Sequence, residues 1–476
     1  MKLRERSKLY DSAATPADQR AAFTGGEVPV AVYGLGKMGL PLASVFAAVS
    51  KNVVGVDVDE AVVRTINDGE CHVQGEPGLP ELVETAVEAG GLRATTDGRA
   101  TAELASVHVL IVPTTLRDDD APDLSNLRTV VRDVAAGLEP GDLVCVESTV
   151  PPRTCVDLVE PLLAAESDVD PGEFGVAFCP ERTSSGRALR DIRRAYPKVV
   201  GGVDDESTRA AALVYDQVTE NEVVTVDDAT TAECVKVFEG VYRDVNIALA
   251  NELARFAEEL SVDVTAAIDA ANTQPYCDIH DPGPGVGGHC IPYYPHFLID
   301  EFATEAPLLR TAREVNDRMP LFTVQKLLQL LDDRGVHVES ARVALLGVTY
   351  RAGVDEIRES PALKIAERLS RFGANVYAVD PVRDDFSDVD AAPIRLEALP
   401  RIDPDGVVLV TAHEEFEETP WDRMDETVVI DGRDVLDLAD THHEVYTIGV
   451  GRTGETAGSG TTDGGTGIDD SAEGGR

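Results

Sequence analysis

The sequence contains little positive charge, and lysine is especially scarce. Of 476 residues, 8 are lysine and 34 are arginine, and these 42 basic residues face 86 acidic ones, for a formal net charge of -44. A surface of this sign repels polyanions, which argues against nucleic acid as a partner. It also argues against binding to an anionic membrane surface.

Paired cysteines and long apolar runs are missing as well. The seven cysteines are scattered and never form a C-x-x-C pair, which argues against a disulfide framework and favours a reducing compartment. No uncharged apolar run approaches the length of a membrane span. The first twenty residues run from charged into polar residues without the apolar segment of a secretory signal. We therefore expect a soluble, cytoplasmic protein.

Apolar residues are nevertheless abundant. They make up 43% of the chain, which is enough to bury a core and argues against disorder. The acidic residues would then coat the surface. Concentrated salt screens such self-repulsion down to about 3 Å at molar ionic strength, so the composition predicts a halophilic protein adapted to high salt.

Short β-branched runs alternate with helix-like segments in two parts of the chain. This alternation predicts an α/β fold with two Rossmann-like, doubly wound domains, joined by a long central helix region. The predicted parts are an N-terminal tail (1–26), a first doubly wound domain (27–225), a central helical region (226–330), a second doubly wound domain (331–452) and a Gly- and acid-rich tail (453–476).

The central region contains an unusually long helical pattern. From Thr230 to about Leu260 the apolar residues step by three and four positions, which indicates one helix. Thr230 followed by Glu233 predicts a capping box at its start. A helix of this length either contributes to a dimer seam or packs only against its own domains.

A dinucleotide fingerprint follows the first predicted strand. Gly34, Gly36 and Gly39 form G-x-G-x-x-G before an apolar helix, where they allow a tight turn, a close approach to a pyrophosphate and close helix–strand packing. Asp57 ends the next strand, 18 residues after Gly39, where a carboxylate binds the ribose 2′-hydroxyl and favours NAD over NADP. The second domain has only Gly347 and Asp380 at equivalent places.

A second motif places a cysteine in a loop rich in glycine and proline, residues 281–292. Beside an NAD site, the Cys290 thiolate can add to an aldehyde and form a thioester after a second oxidation. The alternatives are a small buried apolar residue or a zinc ligand together with Cys277, His280 and His289. Adjacent His and Cys ligands suit a tetrahedral site poorly, so we predict no metal.

These motifs resemble those of the nucleotide-sugar dehydrogenase family, over about residues 28–452. The resemblance is closest to the members that act on UDP-N-acetyl-D-mannosamine. The matching segments are Val-Tyr-Gly-Leu-Gly-Lys-Met-Gly-Leu-Pro-Leu-Ala (32–43), Glu-Ser-Thr-Val-Pro-Pro (147–152), Cys-Pro-Glu-Arg (179–182), Tyr-Arg-Asp-Val-Asn-Ile-Ala-Leu-Ala-Asn-Glu-Leu (242–253), Gly-Pro-Gly-Val-Gly-Gly-His-Cys (283–290) and Arg-Glu-Ser-Pro-Ala-Leu (358–363).

The resemblance implies an NAD-dependent, four-electron oxidation of the C6 hydroxyl of a UDP-sugar to a uronic acid. It implies an N-terminal NAD domain, a central dimerisation region and a C-terminal UDP-binding domain. Cys290 matches the nucleophile, Lys236 the oxyanion-stabilising lysine and Glu147 the residue that activates water, with Thr149 beside the nicotinamide. The implied cofactor-binding residues are Gly34, Gly36, Lys37, Met38, Gly39, Asp57, Thr114 and Thr149. The implied substrate-binding residues are Glu181, Arg182, Lys236, Gly287, Gly288, Arg310, Arg351 and Arg358.

Two positions depart from the family pattern. Gly240 stands where the family usually has Asn, and Tyr294 stands where it usually has Asp, which leaves the proton-transfer group open. Arg351 replaces a common Lys and offers a bidentate fork. The candidates to replace the missing Asp are Tyr293, Tyr294, His289 and His296.

The sequence alone is compatible with other substrates and other functions. UDP-glucose or UDP-N-acetylglucosamine are alternative substrates, because sequence patterns do not distinguish sugar epimers. A two-electron alcohol or hydroxyacid dehydrogenase needs no cysteine, and a non-catalytic protein that binds NAD and UDP-sugar would tolerate the missing Asn and Asp. We expect a homo-oligomer, with the scarce basic residues gathered at the phosphates. The candidates for those contacts are Arg182, Lys236, Arg310, Arg313, Arg351 and Arg358.

Overall fold

The computed structural model describes residues 7–452, so the predicted tail at 453–476 lies outside the described residues. Two sheets organise the chain. The strands of the first sheet are β1 (Val30–Tyr33), β2 (Val53–Val56), β3 (Leu92–Thr95), β4 (Val107–Leu110), β7 (Leu143–Val146), β8 (Gly175–Phe178), β9 (Lys198–Gly202) and β10 (Val223–Thr225). A separate small hairpin consists of β5 (Thr115–Leu116) and β6 (Pro122–Asp123).

The first sheet has the strand order β10-β9-β8-β7-β4-β1-β2-β3. Its neighbours are parallel except β8 and β9. The order reverses between β1 and β4, so the crevice beyond their carboxyl ends is the place where such folds bind ligands. Helices cover this sheet: α2 (Gly39–Ser50), α3 (Glu60–Asn67), α4 (Leu79–Glu88), α5 (Gly98–Ala102), α6 (Ser125–Ala135), α7 (Glu160–Glu166), α8 (Ala188–Arg190) and α9 (Asp205–Val218).

The second sheet is smaller and is also mainly parallel. Its strands are β11 (Arg342–Leu346), β12 (Asn375–Val379), β13 (Ala392–Pro393), β14 (Gly406–Leu409), β15 (Val428–Asp431), β16 (Glu444–Thr447) and β17 (Gly451–Arg452). The order is β13-β12-β11-β14-β15-β16-β17, and only β16 and β17 are antiparallel. The helices of this part are α15 (Pro361–Arg371) and α16 (Leu399–Ile402). Apolar side chains are buried on both faces of each sheet, as the continuous β-branched runs predict.

Two long helices connect the sheets. α10 (Ala229–Ala254) packs along α14 (Pro307–Asp333), and the shorter helices of this region are α11 (Ala257–Leu260), α12 (Val264–Ala271) and α13 (His296–Ile299). The predicted capping box is wrong. Asp228 caps α10 by accepting the Thr231 N–H, whereas the Glu233 side chain is buried and bonds the loop after β7.

One face of α10 stays exposed in the single chain. The exposed side chains are Phe238, Tyr242 and Leu249 on α10 and Phe256 just after its end, at 55%, 52%, 47% and 45% of their full surface. They are spaced four, seven and seven positions apart, which places them along one stripe of the helix and its continuation. We call this stripe the α10 apolar face.

The N-terminal segment is not a tail throughout, which corrects the prediction for residues 1–26. A helix, α1 (Pro16–Thr24), packs against α9, and Leu9 and Phe23 are completely buried. The Lys8 ammonium lies 2.5 Å from the Asp142 carboxylate. The segment folds because its few apolar residues and this buried ion pair attach it to the first sheet.

Within residues 7–452 no helix is long and apolar enough to cross a bilayer. All seven cysteines are free. No group of three or more His, Cys, Asp or Glu side chains in this part of the chain is arranged to hold a metal ion.

Candidate active site

The glycine fingerprint forms the turn between β1 and α2. Gly34 has φ +97°, and a Cβ there would lie 2.5 Å from the Ile111 carbonyl oxygen. A Cβ on Gly39 would lie 1.9 Å from the Gly34 oxygen, whereas a Cβ on Gly36 would meet nothing within 4 Å. The outer glycines are therefore required by the turn and by packing, and the middle one leaves an open approach for a phosphate.

Asp57 stands at the carboxyl end of β2, beside this turn. Its Oδ2 accepts the Leu35 N–H at 2.8 Å, and its Oδ1 accepts the Asp59 N–H at 3.0 Å. The carboxylate is thereby oriented and keeps lone pairs for a ribose hydroxyl. Together with the open face at Gly36 and the amino end of the 12-residue helix α2, these residues fit NAD.

The corresponding turn in the second domain is different. Gly347 has φ +83°, but Asp380 accepts the N–H groups of Val348 and Thr349 and the Thr349 hydroxyl. Burial alone would raise the pKa of Asp380, yet His413 and these donors lower it to about 2. The Asp380 carboxylate is therefore used for hydrogen bonds within its own turn, whereas the Asp57 carboxylate keeps lone pairs for a ligand.

Glu147 follows β7 and is 1% exposed. Its Oε2 lies 2.9 Å from the Lys198 ammonium, and its Oε1 accepts the Tyr215 hydroxyl at 2.5 Å. Burial raises the pKa of Glu147, and Lys198 and Tyr215 offset only part of that effect. A buried carboxyl with a raised pKa suits proton transfer near neutral pH.

Lys236 lies on α10 and is 7% exposed. Its ammonium donates to the Glu181 carbonyl oxygen and lies 3.5 Å from the Glu181 carboxylate. Burial alone would raise the pKa of Glu181, but Lys236 and bonds from Thr183 lower it. Without the family resemblance Lys236 would have been taken for a solvated charge, and the structure instead buries it against Glu181, which together with Glu147 lines a neighbouring cleft.

The cysteine loop brings Cys290 to the same region. Gly288 has φ +82° and donates its N–H to the Arg358 oxygen at 2.9 Å, and a Cβ on Gly287 would lie 2.7 Å from the Tyr350 Cβ. These glycines let the loop pass closely over the loop that precedes α15. The thiol of Cys290 is partly exposed.

Charged and polar neighbours favour the thiolate of Cys290. Burial would raise its pKa, but the His289 side chain, the Lys236 charge and the Tyr294 hydroxyl outweigh burial and lower it. The Tyr294 hydroxyl also lies 3.2 Å from Thr149 Oγ1. Of the four predicted catalytic residues, Cys290, Lys236 and Thr149 are thus gathered around Tyr294.

The predicted cofactor residues Lys37, Met38 and Thr114 lie around the first crevice. Lys37 reaches the second domain, with Nζ 3.2 Å from both the Asp355 carbonyl oxygen and the Glu356 carboxylate. The Met38 sulfur accepts the Thr183 hydroxyl at 2.9 Å, and Thr114 follows β4. The fingerprint loop therefore contacts both the Glu181 segment and the second domain.

The predicted phosphate-binding arginines divide into two groups. Arg182 pairs with Glu239 at 2.5 Å, Arg358 lies 3.8 Å from Glu356, and Arg351 is exposed. Arg182 and Arg358 therefore flank the site.

Two other arginines are held elsewhere. Arg310 bonds the Ile299 carbonyl oxygen at 3.0 Å, so its contacts do not join it to the cysteine cluster. Arg313 is buried and paired with Asp244 and Asp317. Its expected role at the phosphates is wrong, because its charge is neutralised between α10 and α14.

Sequence reasoning missed Lys198 and Tyr215. Lys198 opens β9 and donates to the Cys179 and Pro180 carbonyl oxygens as well as to Glu147, and it lies 4.5 Å from the centre of the Tyr215 ring. A lysine that opens a buried strand, in a chain with so few lysines, was the available signal. No sequence pattern indicated Tyr215.

The glycine fingerprint forms a cofactor crevice, and this crevice lies beside the buried Lys236, the buried Glu147 and the activated Cys290. This combination is typical of the NAD-dependent dehydrogenases. Three family descriptions match the chain in order: the UDP-glucose/GDP-mannose dehydrogenase family NAD binding domain over residues 28–219, its central domain over 230–318 and its UDP binding domain over 344–438.

Individual relatives agree with this assignment. The chain is 36% identical to UDP-N-acetyl-D-mannosamine dehydrogenase from Pyrococcus horikoshii, over 86% of this chain and 96% of the relative. It is 36% identical to NDP-N-acetyl-D-galactosaminuronic acid dehydrogenase from Ralstonia nicotianae, over 85% and 95%. The solved structure of the UDP-D-ManNAc dehydrogenase from Pyrococcus horikoshii matches with a TM-score of 0.82 at 34% identity, covering 89% of this chain and 100% of that one.

The chain therefore belongs to the UDP-glucose/GDP-mannose dehydrogenase family. It is an NAD-dependent nucleotide-sugar dehydrogenase with a UDP-binding domain. The resemblance inferred from the motifs is confirmed, and so are the α/β fold and NAD as cofactor.

Proposed function

We propose that this protein oxidises the C6 hydroxyl of UDP-N-acetyl-D-mannosamine to the carboxylate, in two oxidations that pass through a cysteine adduct. The observation that carries this proposal is the position and lowered pKa of Cys290 beside the buried Lys236. A dehydrogenase that stops at the aldehyde or ketone needs no activated thiol. NAD, when bound, accepts one hydride in each oxidation.

Lys236 is the group that stabilises negative charge on the C6 oxygen. Two of its interactions go to the carbonyl oxygen and the carboxylate of Glu181, and an ammonium carries three donors. One donor is therefore left for the substrate oxygen, first as the alkoxide and later as the oxyanion of the adduct. Glu181 keeps the ammonium directed into the site.

Cys290 is the nucleophile in this proposal. Its thiolate attacks the aldehyde carbon, a carbon–sulfur bond forms, and the carbonyl π electrons move to the oxygen that Lys236 stabilises. The second oxidation converts this thiohemiacetal into a thioester. Attack by water then breaks the carbon–sulfur bond, returns the thiolate and releases the acid.

Glu147 is the proposed group that takes the proton from that water. Burial raises its pKa above the ordinary value of a carboxyl, which brings it closer to the range suited to proton transfer. Lys198 and Tyr215 hold its two oxygens, so they fix its position and moderate the cost of burying its charge.

The mannosamine epimer is the best-supported substrate. Several relatives at 33% to 39% identity are named UDP-N-acetyl-D-mannosamine dehydrogenase, and the Gly-His-Cys loop and the Arg-Asp-Val-Asn-Ile segment resemble that group. Two relatives are named NDP-N-acetyl-D-galactosaminuronic acid dehydrogenase. UDP-glucose and UDP-N-acetylglucosamine are the alternatives.

An NADH-release assay across UDP-sugars tests the proposal. UDP-N-acetyl-D-mannosamine should give a kcat/KM at least about tenfold above each of the other UDP-sugars, which corresponds to about 1.4 kcal/mol of discrimination. Cys290→Ser should abolish acid formation, whereas Cys234→Ser, a matched change at a partly exposed thiol on α10, should retain it. Wild-type acid output from Cys290→Ser would refute the nucleophile, and no turnover of any UDP-sugar would favour a non-catalytic binding protein.

We further propose that two copies of the chain associate through the α10 apolar face. Three large apolar side chains on α10 and a fourth just after its end remain about half exposed, and a second surface would remove them from water. Sedimentation equilibrium should report twice the chain mass for the wild type and for Leu104→Glu, an exposed leucine elsewhere. Leu249→Glu should report a single chain, and an unchanged mass would contradict this interface.

A further inference from the structure

Tyr294 lies at the centre of the cysteine site. It is 7% exposed, its ring centre is 5.7 Å from that of Phe297, and the Lys236 ammonium lies 5.8 Å from its ring centre. Its backbone N–H donates to the Cys290 oxygen at 3.1 Å, and its hydroxyl lies 3.2 Å from Thr149 Oγ1. One side chain thus contacts the three segments that carry the proposed catalytic groups.

Gly240 makes room for this ring. A Cβ on Gly240 would lie 2.2 Å from Tyr294 Cδ2, so no side chain fits there without moving the ring. Gly240 lies inside α10 with no left-handed backbone, where glycine costs about 1 kcal/mol relative to alanine. The glycine at position 240 is therefore explained by the packing of the Tyr294 ring and not by a backbone conformation that only glycine adopts. The two departures from the family pattern therefore form one unit.

The Tyr294 hydroxyl is a neutral hydrogen-bond donor. Burial raises the pKa of Tyr294 well above its ordinary value, with the nearby Cys290 adding to the effect, so the phenol keeps its proton across the working pH range. The hydroxyl can then accept from Thr149 and donate to the cysteine sulfur. It does not act as a base, which leaves proton acceptance to a carboxyl such as Glu147.

We propose that Tyr294 is a catalytic hydrogen-bond donor to the Cys290 sulfur, that it stabilises and orients the thiolate, and that glycine at position 240 is the condition for this arrangement. The catalytic part rests on the proposed function, but the effect on the thiol does not. An aspartate at position 294 would repel the thiolate, whereas a neutral hydroxyl favours it. In this chain the cysteine would therefore be activated at lower pH than with the family's carboxylate.

Several other groups act on the same thiol. The titratable and charged groups that face Cys290 or its hydrogen-bond partners are His289, Lys236, Glu181, Tyr350, Glu356 and Arg358. Tyr294→Phe leaves all of them in place and removes only one oxygen. A change in the titration of the thiol in that variant thus reports the hydroxyl.

The decisive test is the pH dependence of Cys290 alkylation by iodoacetamide, followed by mass spectrometry of its peptide without substrate. Tyr294→Phe should shift the midpoint upward by about one pH unit, the size expected for a hydrogen bond to a charged group. Tyr293→Phe tests the neighbouring tyrosine and should leave the midpoint unchanged, and the Cys234 peptide serves as an internal control. An unshifted midpoint in Tyr294→Phe, or the same shift in Tyr293→Phe, overturns the proposal.

A double-mutant cycle tests the link to Gly240. Gly240→Asn should lower kcat/KM by about 10- to 100-fold because its side chain displaces the ring. The double variant Gly240→Asn with Tyr294→Asp carries the Asn and Asp that the family usually has. It should regain at least about a third of the loss in log(kcat/KM) caused by Gly240→Asn alone. Additive losses, or a Gly240→Asn enzyme with wild-type kcat/KM and midpoint, overturn the linkage. If the wild type turns over no UDP-sugar, the proposed function fails while the alkylation midpoints still decide the role of Tyr294.

Discussion

Replacing Glu233 with glutamine tests the role of a buried carboxylate that joins α10 to the loop after β7. Glu233 is fully buried, and its oxygens accept the N–H groups of Arg153 at 2.5 Å and Cys155 at 2.8 Å. Arg153 has φ +79°, a strained conformation that this bond holds. Lys236 follows one helical turn later on the same side of α10, so Glu233 fixes the loop that carries Thr149 relative to the lysine.

The size of the effect follows from the pKa of Glu233. Burial raises it from 4.5 to about 7, although the two N–H donors work in the opposite direction. A rise of this size in the pKa corresponds to about 3 kcal/mol. Because the folded protein favours the protonated carboxyl, this contribution to stability is complete below pH 4.5 and is lost as the pH rises through 7. Glutamine resembles the protonated form and does not titrate.

The assay compares thermal unfolding of wild type and Glu233→Gln at pH 5 and pH 8 in high salt. The free energy of unfolding of the variant relative to wild type should increase by about 2.5 kcal/mol between pH 5 and pH 8, because part of the wild-type contribution is already lost at pH 5. Glu252→Gln, at an exposed position on α10, is the control and should show no such change. A relative stability of Glu233→Gln that is equal at both pH values would refute the reasoning.

Three further predictions concern the cofactor and the surface. Gly36→Ala should raise the KM for NAD by about tenfold or more with normal stability, because its Cβ fills only the open approach, and NADH kinetics with unfolding curves check this. Asp57→Ala should improve NADP relative to NAD by at least about tenfold, since it removes repulsion of the 2′-phosphate, and an unchanged ratio would contradict this role. The unfolding midpoint should rise between 0.1 and 2 M KCl because salt screens the charge of -44, and a flat or falling midpoint would contradict the salt argument.

Much of the fold and of the site was predictable because local spacing encodes it. The three glycines and Asp57 specify a turn and a strand end that depend on few distant contacts. The β-branched runs identified most central strands, whereas β3, with the exposed Arg93, lacked that pattern, and the β-branched edge strand β10 is only three residues long.

The missed features depend on contacts between distant segments. Lys198 reaches Glu147 from a strand 51 positions later, and the pairing of Gly240 with Tyr294 is visible only when α10 meets the cysteine loop. Glu233 matched a capping pattern, yet tertiary burial placed its carboxylate on another loop. Arg313 was similarly assigned to substrate because its buried partner Asp244 is 69 positions away.

The stoichiometry of NADH tests the central claim most directly. With limiting UDP-N-acetyl-D-mannosamine and excess NAD, the account predicts two NADH per sugar consumed and one uronic acid as the product. One NADH per sugar, with an aldehyde or ketone as the product, would contradict the cysteine-dependent second oxidation.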